Sequence, residues 1–371
     1  MNFAFEQHHK TIFNLQKMIF GLTIKKKTDI LILYDINVQM SERRRQYDIG
    51  GAKTTYAGVF MNKITNTKAP KRNYVLELWR FIFCIMVLGF HFFSKIDSRL
   101  FHAGYLGVEF FFLVSGYFIG SFYFRQLKDK DFRNRLKTVG HYIISRFRRL
   151  YPLYLAALVF MLIIKLLTGQ LTFSMLPSTL KDCYAEFFML QWTPLGNEVL
   201  ISADWYVPAV FFGGIFFIIL LSLTGRVGGY LLAPAISFFL YRYYFLLIGK
   251  IDIIIYHHCI LRGIAGLGLG IFIYFICSLV PAIPAKLTWP FFILSNLIVM
   301  GVFIYSQFGH RSKWDFFIIG LYTLSLFLLM TADTPGMPGS MQKAFGFLGK
   351  TTYPIYILQM PVIELILSTM Y

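Results

Sequence analysis

The chain has 371 residues, 57% hydrophobic and 15% charged, with 41 Phe and a mean hydropathy of +0.59. That excludes an ordinary soluble domain, and long apolar runs without period-two alternation exclude a barrel, leaving an all-α polytopic membrane protein. Of the net charge of +18, residues 1–72 supply +8 and Arg125 to Arg149 supply +7. Basic clusters flanking apolar spans set topology and do not require nucleic acid as a partner.

Residues 1–72 read as a basic, disordered cytoplasmic tail. Met18 to Leu22 is too short an apolar stretch for a cleavable signal peptide. Met61 reads as an alternative translation start. Residues 73–371 then form the membrane domain. Its expected spans are Tyr74–Ser94, Tyr105–Phe124, Arg149–Leu167 after an amphipathic lead-in near His141, Trp205–Leu223, Gly229–Ile248, Cys259–Val280, Trp289–Tyr305, Trp314–Met330 and Phe347–Met370. A tenth apolar piece, Cys183–Trp192, is too short to cross upright and reads as re-entrant or a partial helix, so the total is about ten transmembrane helices. Positive charge places the N-terminus in the cytoplasm.

The first span carries Glu77, Arg80 and His91. Ten residues separate the last two, and the eleven-residue step leaves them about 20° apart around a helix and roughly 16 Å apart along it. Glu77, three positions before Arg80, sits where it can pair with the guanidinium. Ionisable groups in a span default to a functional reading facing the bundle interior. Snorkelling of Arg80 and an interfacial His91 are the bland alternatives.

In the second span Glu109 is expected near the outer face, at the depth of His91, where a carboxylate would orient the imidazole. Ser115-Gly116 in the same span reads as either a site element or a packing notch. The run Arg146 to Pro152 brings Arg146 and Arg149 to one side of a helix at the cytoplasmic end. Guanidiniums bind phosphate in a bidentate fashion, so a phosphorylated donor docks there, unless the pair serves only lipid headgroups or topology.

The remaining features read as structural. Cys84, Cys183, Cys259 and Cys277 are scattered, which supports neither a disulfide framework nor a zinc site. His257-His258 reads as interfacial and not as a metal site, and Gly266 and Gly270 suit close helix contact.

Arg80 with His91, the Gly107-Val108-Glu109-Phe110-Phe111 to Ser115-Gly116-Tyr117 block, and Arg146-x-x-Arg149-Leu150-Tyr151-Pro152 occur in an order and spacing that resembles the membrane acyltransferase 3 family. Later pieces agree more loosely: Asp204-Trp205-Tyr206-Val207, Arg262 to Gly270, and Gly349 to Gln359 with Tyr353 and Tyr356. The resemblance covers about residues 73–367. It implies a ten-helix enzyme of the cell inner (cytoplasmic) membrane, in contact with membrane lipid. It would transfer an acyl group, usually acetyl from acetyl-CoA, to a hydroxyl of a glycan, glycolipid or lipid-linked sugar. No cofactor would be permanently bound. His91 matches the family's essential histidine, with Glu109 beside it. Arg80, Arg146 and Arg149 would bind the donor, with Glu77, Ser115, Trp205, Tyr206, Tyr353 and Tyr356 in support. Gln359 stands where many members have His, and the segment after Trp205 lacks an acid found in many relatives. A homodimer is left open. The reading of another class is a transporter or flippase of a lipid-linked glycan that uses the same charges without bond chemistry.

Overall fold

A computed structural model describes residues 72–196, 198–252, 258–280, 283–332 and 336–370. The tail 1–71 and His257 lie outside the described residues. Among the described residues the helices are α1 Tyr74–Lys95, α2 Gly107–Phe122, α3 Phe132–Leu167, α4 Leu176–Asp182, α5 Tyr184–Phe187, α6 Tyr206–Thr224, α7 Ala233–Tyr243, α8 His258–Leu279, α9 Ala285–Phe308, α10 Trp314–Thr331 and α11 Gly339–Met370. There is no strand among them. Among the described residues nine helical segments are long and apolar enough to cross a membrane, α2 and α7 together with the helical turns that extend them to Gly104–Leu127 and Gly228–Ile248. The chain is a polytopic all-α protein.

Local chemistry sets the helix ends. Asn73 caps α1 by accepting from the Leu76 N–H at 3.1 Å, and Glu77 lies in the first turn, where a carboxylate complements the exposed N–H groups. Gly225 (φ 61°) and Gly249 (φ 75°) turn the chain after α6 and after the helical turn following α7, in backbone conformations that favour glycine. The basic stretch before Arg149 does not form a separate lead-in. It is continuous with the apolar span, so α3 runs unbroken through Pro152. The short piece around Cys183–Trp192 does not make a tenth long helix. It forms α4, α5 and a connecting loop, and α3 and α11 hold this segment by side chain: Tyr151 donates to Phe187 O, Tyr154 to Glu186 O, and Tyr356 to Ala203 O.

The centre of the bundle is the α2–α8 pair. A Cβ placed on Gly116 would stand 2.0 Å from Leu267 O, and one on Gly270 would stand 2.0 Å from Leu113 O. These glycines let two backbones touch, as expected for the small residues of α8. Gly116 is therefore a packing notch. The outward faces of α7 and α9 instead expose Phe238, Phe239, Leu294 and Leu297, a surface suited to hydrocarbon.

Candidate functional site

Three of the arginines singled out in the sequence converge between the first turns of α1 and the middle of α3. Arg80 Nη1 binds Glu77 at 2.8 Å, and Arg72 binds the same carboxylate at 3.3 Å. Glu77 thus neutralises only part of this charge. Arg149 lies within electrostatic reach of Arg146, Arg80, Glu77 and Tyr353. Tyr353 in turn donates to Leu150 O at 2.6 Å and fixes α11 against α3. Tyr206, at the start of α6, is half-buried within reach of Arg80, Arg146 and Ser115. Its ring packs on Tyr356 with centroids 5.1 Å apart. Glu77, Arg80, Ser115, Arg146, Arg149, Tyr206, Tyr353 and Tyr356, scattered over 280 residues of sequence, form one neighbourhood.

A cleft of about 700 Å³ opens beside it, lined by Lys130, Lys137, His141, Tyr142, Arg146 and Arg149 together with Phe122, Gln126, Asn134, Thr138 and Ser145. No carboxylate lines it. A smaller cavity continues inward from Tyr142 and Arg146 to Ser115, Leu150 and Phe211. Arg146 lies over the Tyr142 ring at 5.1 Å, which orients the guanidinium at the junction of the two spaces. The size is that of a cofactor or nucleotide pocket, and the charge is that of a polyanion site.

His91 lies at the opposite end of α1. Its neighbours differ from those expected. The charged groups in reach of the imidazole are Asp252 and Lys95, and Phe90 flanks the ring with centroids 5.1 Å apart. Glu109 is not brought to it. Glu109 is fully buried, with one oxygen bound by Arg262 Nε and the other accepting from Tyr241 at 3.2 Å. The reason is register. Asp97 (φ 54°) and Phe101 (φ 55°) fold the α1–α2 connection back between the helices, so Gly104 packs on Met86 and Phe90 and Gly107 on Phe83 and Val87. Glu109, two residues on, then falls near the level of Phe83, about 12 Å of helix rise from His91.

Arg262 does more than the sequence indicated. Its guanidinium also binds Asp252 at 3.2 Å, and Asp252 binds Arg311 at 2.7 Å. Trp205 covers Arg262 at 4.8 Å. Arg311 lies over Phe90 and Tyr105, and Tyr105 donates to Asp315 at 2.8 Å. Asp252 therefore sits between this network and His91. Reading motif by motif missed Asp252 and Arg311. Their signal was weak, one charge among several in a short loop between apolar spans.

A second buried cluster lies outside the spans. Glu186 accepts from the backbone N–H groups of Leu200 (2.6 Å) and Ile201 (3.0 Å), and Asp204 accepts from Gln191 (2.9 Å) and Tyr154 (2.8 Å). The two carboxyls lie close enough to influence each other's ionisation. Burial, and then the neighbouring Asp204, push Glu186 well above the carboxylate range, and burial raises Asp204 as well. The pair braces the residues that carry Trp205 and Tyr206 into the bundle.

The geometry offers a polyanion cleft at one end of α1 and an imidazole at the other, framed by buried ion pairs. A family model described as an acyltransferase domain matches residues 73–371. No curated protein and no solved structure matches the chain. With the match extending over the whole helical bundle, the chain belongs to the membrane acyltransferase 3 family and is an acyltransferase.

Proposed function

We propose that the protein transfers an acyl group, acetyl from acetyl-CoA, to a hydroxyl of a glycan, glycolipid or lipid-linked sugar of the cell surface. The observation that carries this reading is the cationic cleft that meets, past Tyr142 and Arg146, a small inner cavity at Ser115. A diphosphate seated on Arg146 and Arg149 leaves the pantetheine arm pointing into the bundle, toward Arg80. His91 lies roughly 16 Å further along α1, within reach of an extended arm. The basic end then faces the cytoplasm, where acyl-CoA is made, and the His91 end faces the acceptor, in the inner membrane of the cell.

In the transfer step His91 takes the proton of the acceptor hydroxyl as the oxygen attacks the thioester carbonyl. The C–O bond forms, the C–S bond breaks, and the imidazolium returns the proton to the thiolate. Asp252, held between Arg262 and Arg311, is the carboxylate placed to stabilise the imidazolium, in the role expected of Glu109. Arg80, partly neutralised by Glu77, faces the donor arm. Tyr206, within reach of Arg80 and Arg146, lines its inner course. No metal ligand set enters this scheme.

The test is transfer of label from radiolabelled acetyl-CoA to membrane glycans by membranes that contain the protein, read by mass as the gain of one acyl group. Label transfer that depends on the protein supports the reading. Donor-independent movement of the glycan without label would establish the transporter instead.

A further inference from the structure

The outer part of the cleft is not accounted for by a diphosphate on Arg146 and Arg149. Lys130 and Lys137, with the imidazole of His141, form a separate group of donors in its lining. Lys130 Nζ is held at 2.8 Å by the hydroxyl of Thr138, a neutral partner that positions the ammonium without cancelling it. His141 donates through Nδ1 to Lys137 O at 2.9 Å, which leaves Nε2 directed away from the backbone. Lys137 and His141 are four residues apart and share one face of α3. Among the described residues, no carboxylate forms an ion pair with Lys130, Lys137, Arg146 or Arg149.

The cleft therefore has two cationic stations, one at Lys130, just before α3, and Lys137 within it, the other at Arg146 and Arg149 further along the helix. Arg146 lies about 8 Å beyond His141 and about 14 Å beyond Lys137 by helix rise. The wall between them is not charged. Phe122, Gln126, Asn134 and Tyr142 supply rings and amides, the surface a base and ribose would occupy. A nucleoside triphosphate concentrates its phosphates on one side of the nucleoside and would leave one station empty. A nucleotide with phosphate on both sides of its ribose fills both.

We propose that Lys130, Lys137 and His141 form a phosphomonoester subsite that recognises a 3′-phosphate on the donor's ribose, separate from the diphosphate seat at Arg146 and Arg149. The inference rests on the reading of this cleft as the acyl-CoA site and adds a selectivity to it. The 3′-phosphate is remote from the thioester, so its recognition raises donor affinity and excludes nucleotides lacking it.

The experiment titrates the full chain in lipid nanodiscs with coenzyme A and with 3′-dephospho-coenzyme A. The wild type binds coenzyme A about tenfold more tightly, the scale of one charge-assisted contact set. In Lys130→Ala/Lys137→Ala the ratio falls to near one, through a loss confined to coenzyme A. The single variant Lys137→Gln, at an exposed position, gives an intermediate ratio and guards against a folding defect in the double variant. Equal affinities in the wild type, a ratio unchanged in the variants, or a parallel loss for both ligands overturns the subsite. If neither ligand binds the wild type, the donor reading itself fails and the subsite falls with it, an outcome distinct from binding without discrimination.

Discussion

The two ends of the site treat charge in opposite ways. Inward from His91, Glu109, Arg262, Asp252 and Arg311 form a chain in which each guanidinium meets a carboxylate. At the other end, Lys130, Lys137, Arg146 and Arg149 line a cleft that has no carboxylate in its wall. A buried charge left alone is costly, so the first arrangement holds the frame. Cations gathered around a hydrated space repel each other and are relieved by an anion, so the second is a place for a ligand. Pairing distinguishes scaffold from site here, although both are made of the same residue types.

The comparison breaks most sharply at Arg262. Arg262→Met would strand Glu109 in the interior and remove a partner of Asp252, at a cost of about 3–5 kcal/mol in folding stability. Thermal unfolding in detergent should show the loss, and the double variant Arg262→Met/Glu109→Gln should recover part of it. A single variant as stable as wild type would mean the network is not structural. Arg146→Ala should behave in the opposite way. Stability should stay within about 0.5 kcal/mol, because the residue borders a cleft, while donor binding measured by calorimetry weakens ~10–100-fold. Equal donor affinity in that variant would remove the guanidinium from the site.

A smaller effect sharpens the same contrast at Glu186 and Asp204, where the scaffold stores a proton. Both carboxyls titrate above their ordinary range in the folded protein, so the native state binds more protons than the unfolded chain once pH exceeds that range. Stability contributed by the pair is then fullest at low pH and declines as pH rises, with a slope of at most about 1.4 kcal/mol per pH unit for one proton. Asp204→Asn removes one of the competing charges and should flatten that slope in unfolding curves recorded at several pH values. An unchanged slope would show that the pair does not store a proton.

The sequence was informative where physics acts along one helix. Apolar runs located the nine spans, and the Gly266/Gly270 spacing announced the close α2–α8 contact. The three-residue step from Arg146 to Arg149 marked the cleft, and that from Glu77 to Arg80 gave the observed ion pair. It was misleading where depth had to be counted across a loop. Placing Glu109 level with His91 assumed that the second span opens at the surface. The connection instead folds inward, with Ala103 donating to Ser306 O at 3.0 Å, and this carries Glu109 to Arg262, 153 residues away in the chain. No local pattern encodes that pairing, nor the meeting of Glu186 with Asp204. Trp205 likewise reads locally as an aromatic motif, whereas its position over Arg262 depends on the return of α8 to the same place.

The central claim is a division of labour along α1, donor recognition at the Arg80 end and proton transfer at His91. Steady-state acetyl transfer from acetyl-CoA by purified His91→Ala tests it most directly. The account predicts that kcat falls by ~10²–10⁴ while the donor KM stays near its wild-type value, the signature of a lost general base. Retained kcat, or a loss expressed mainly as a raised donor KM, would contradict it.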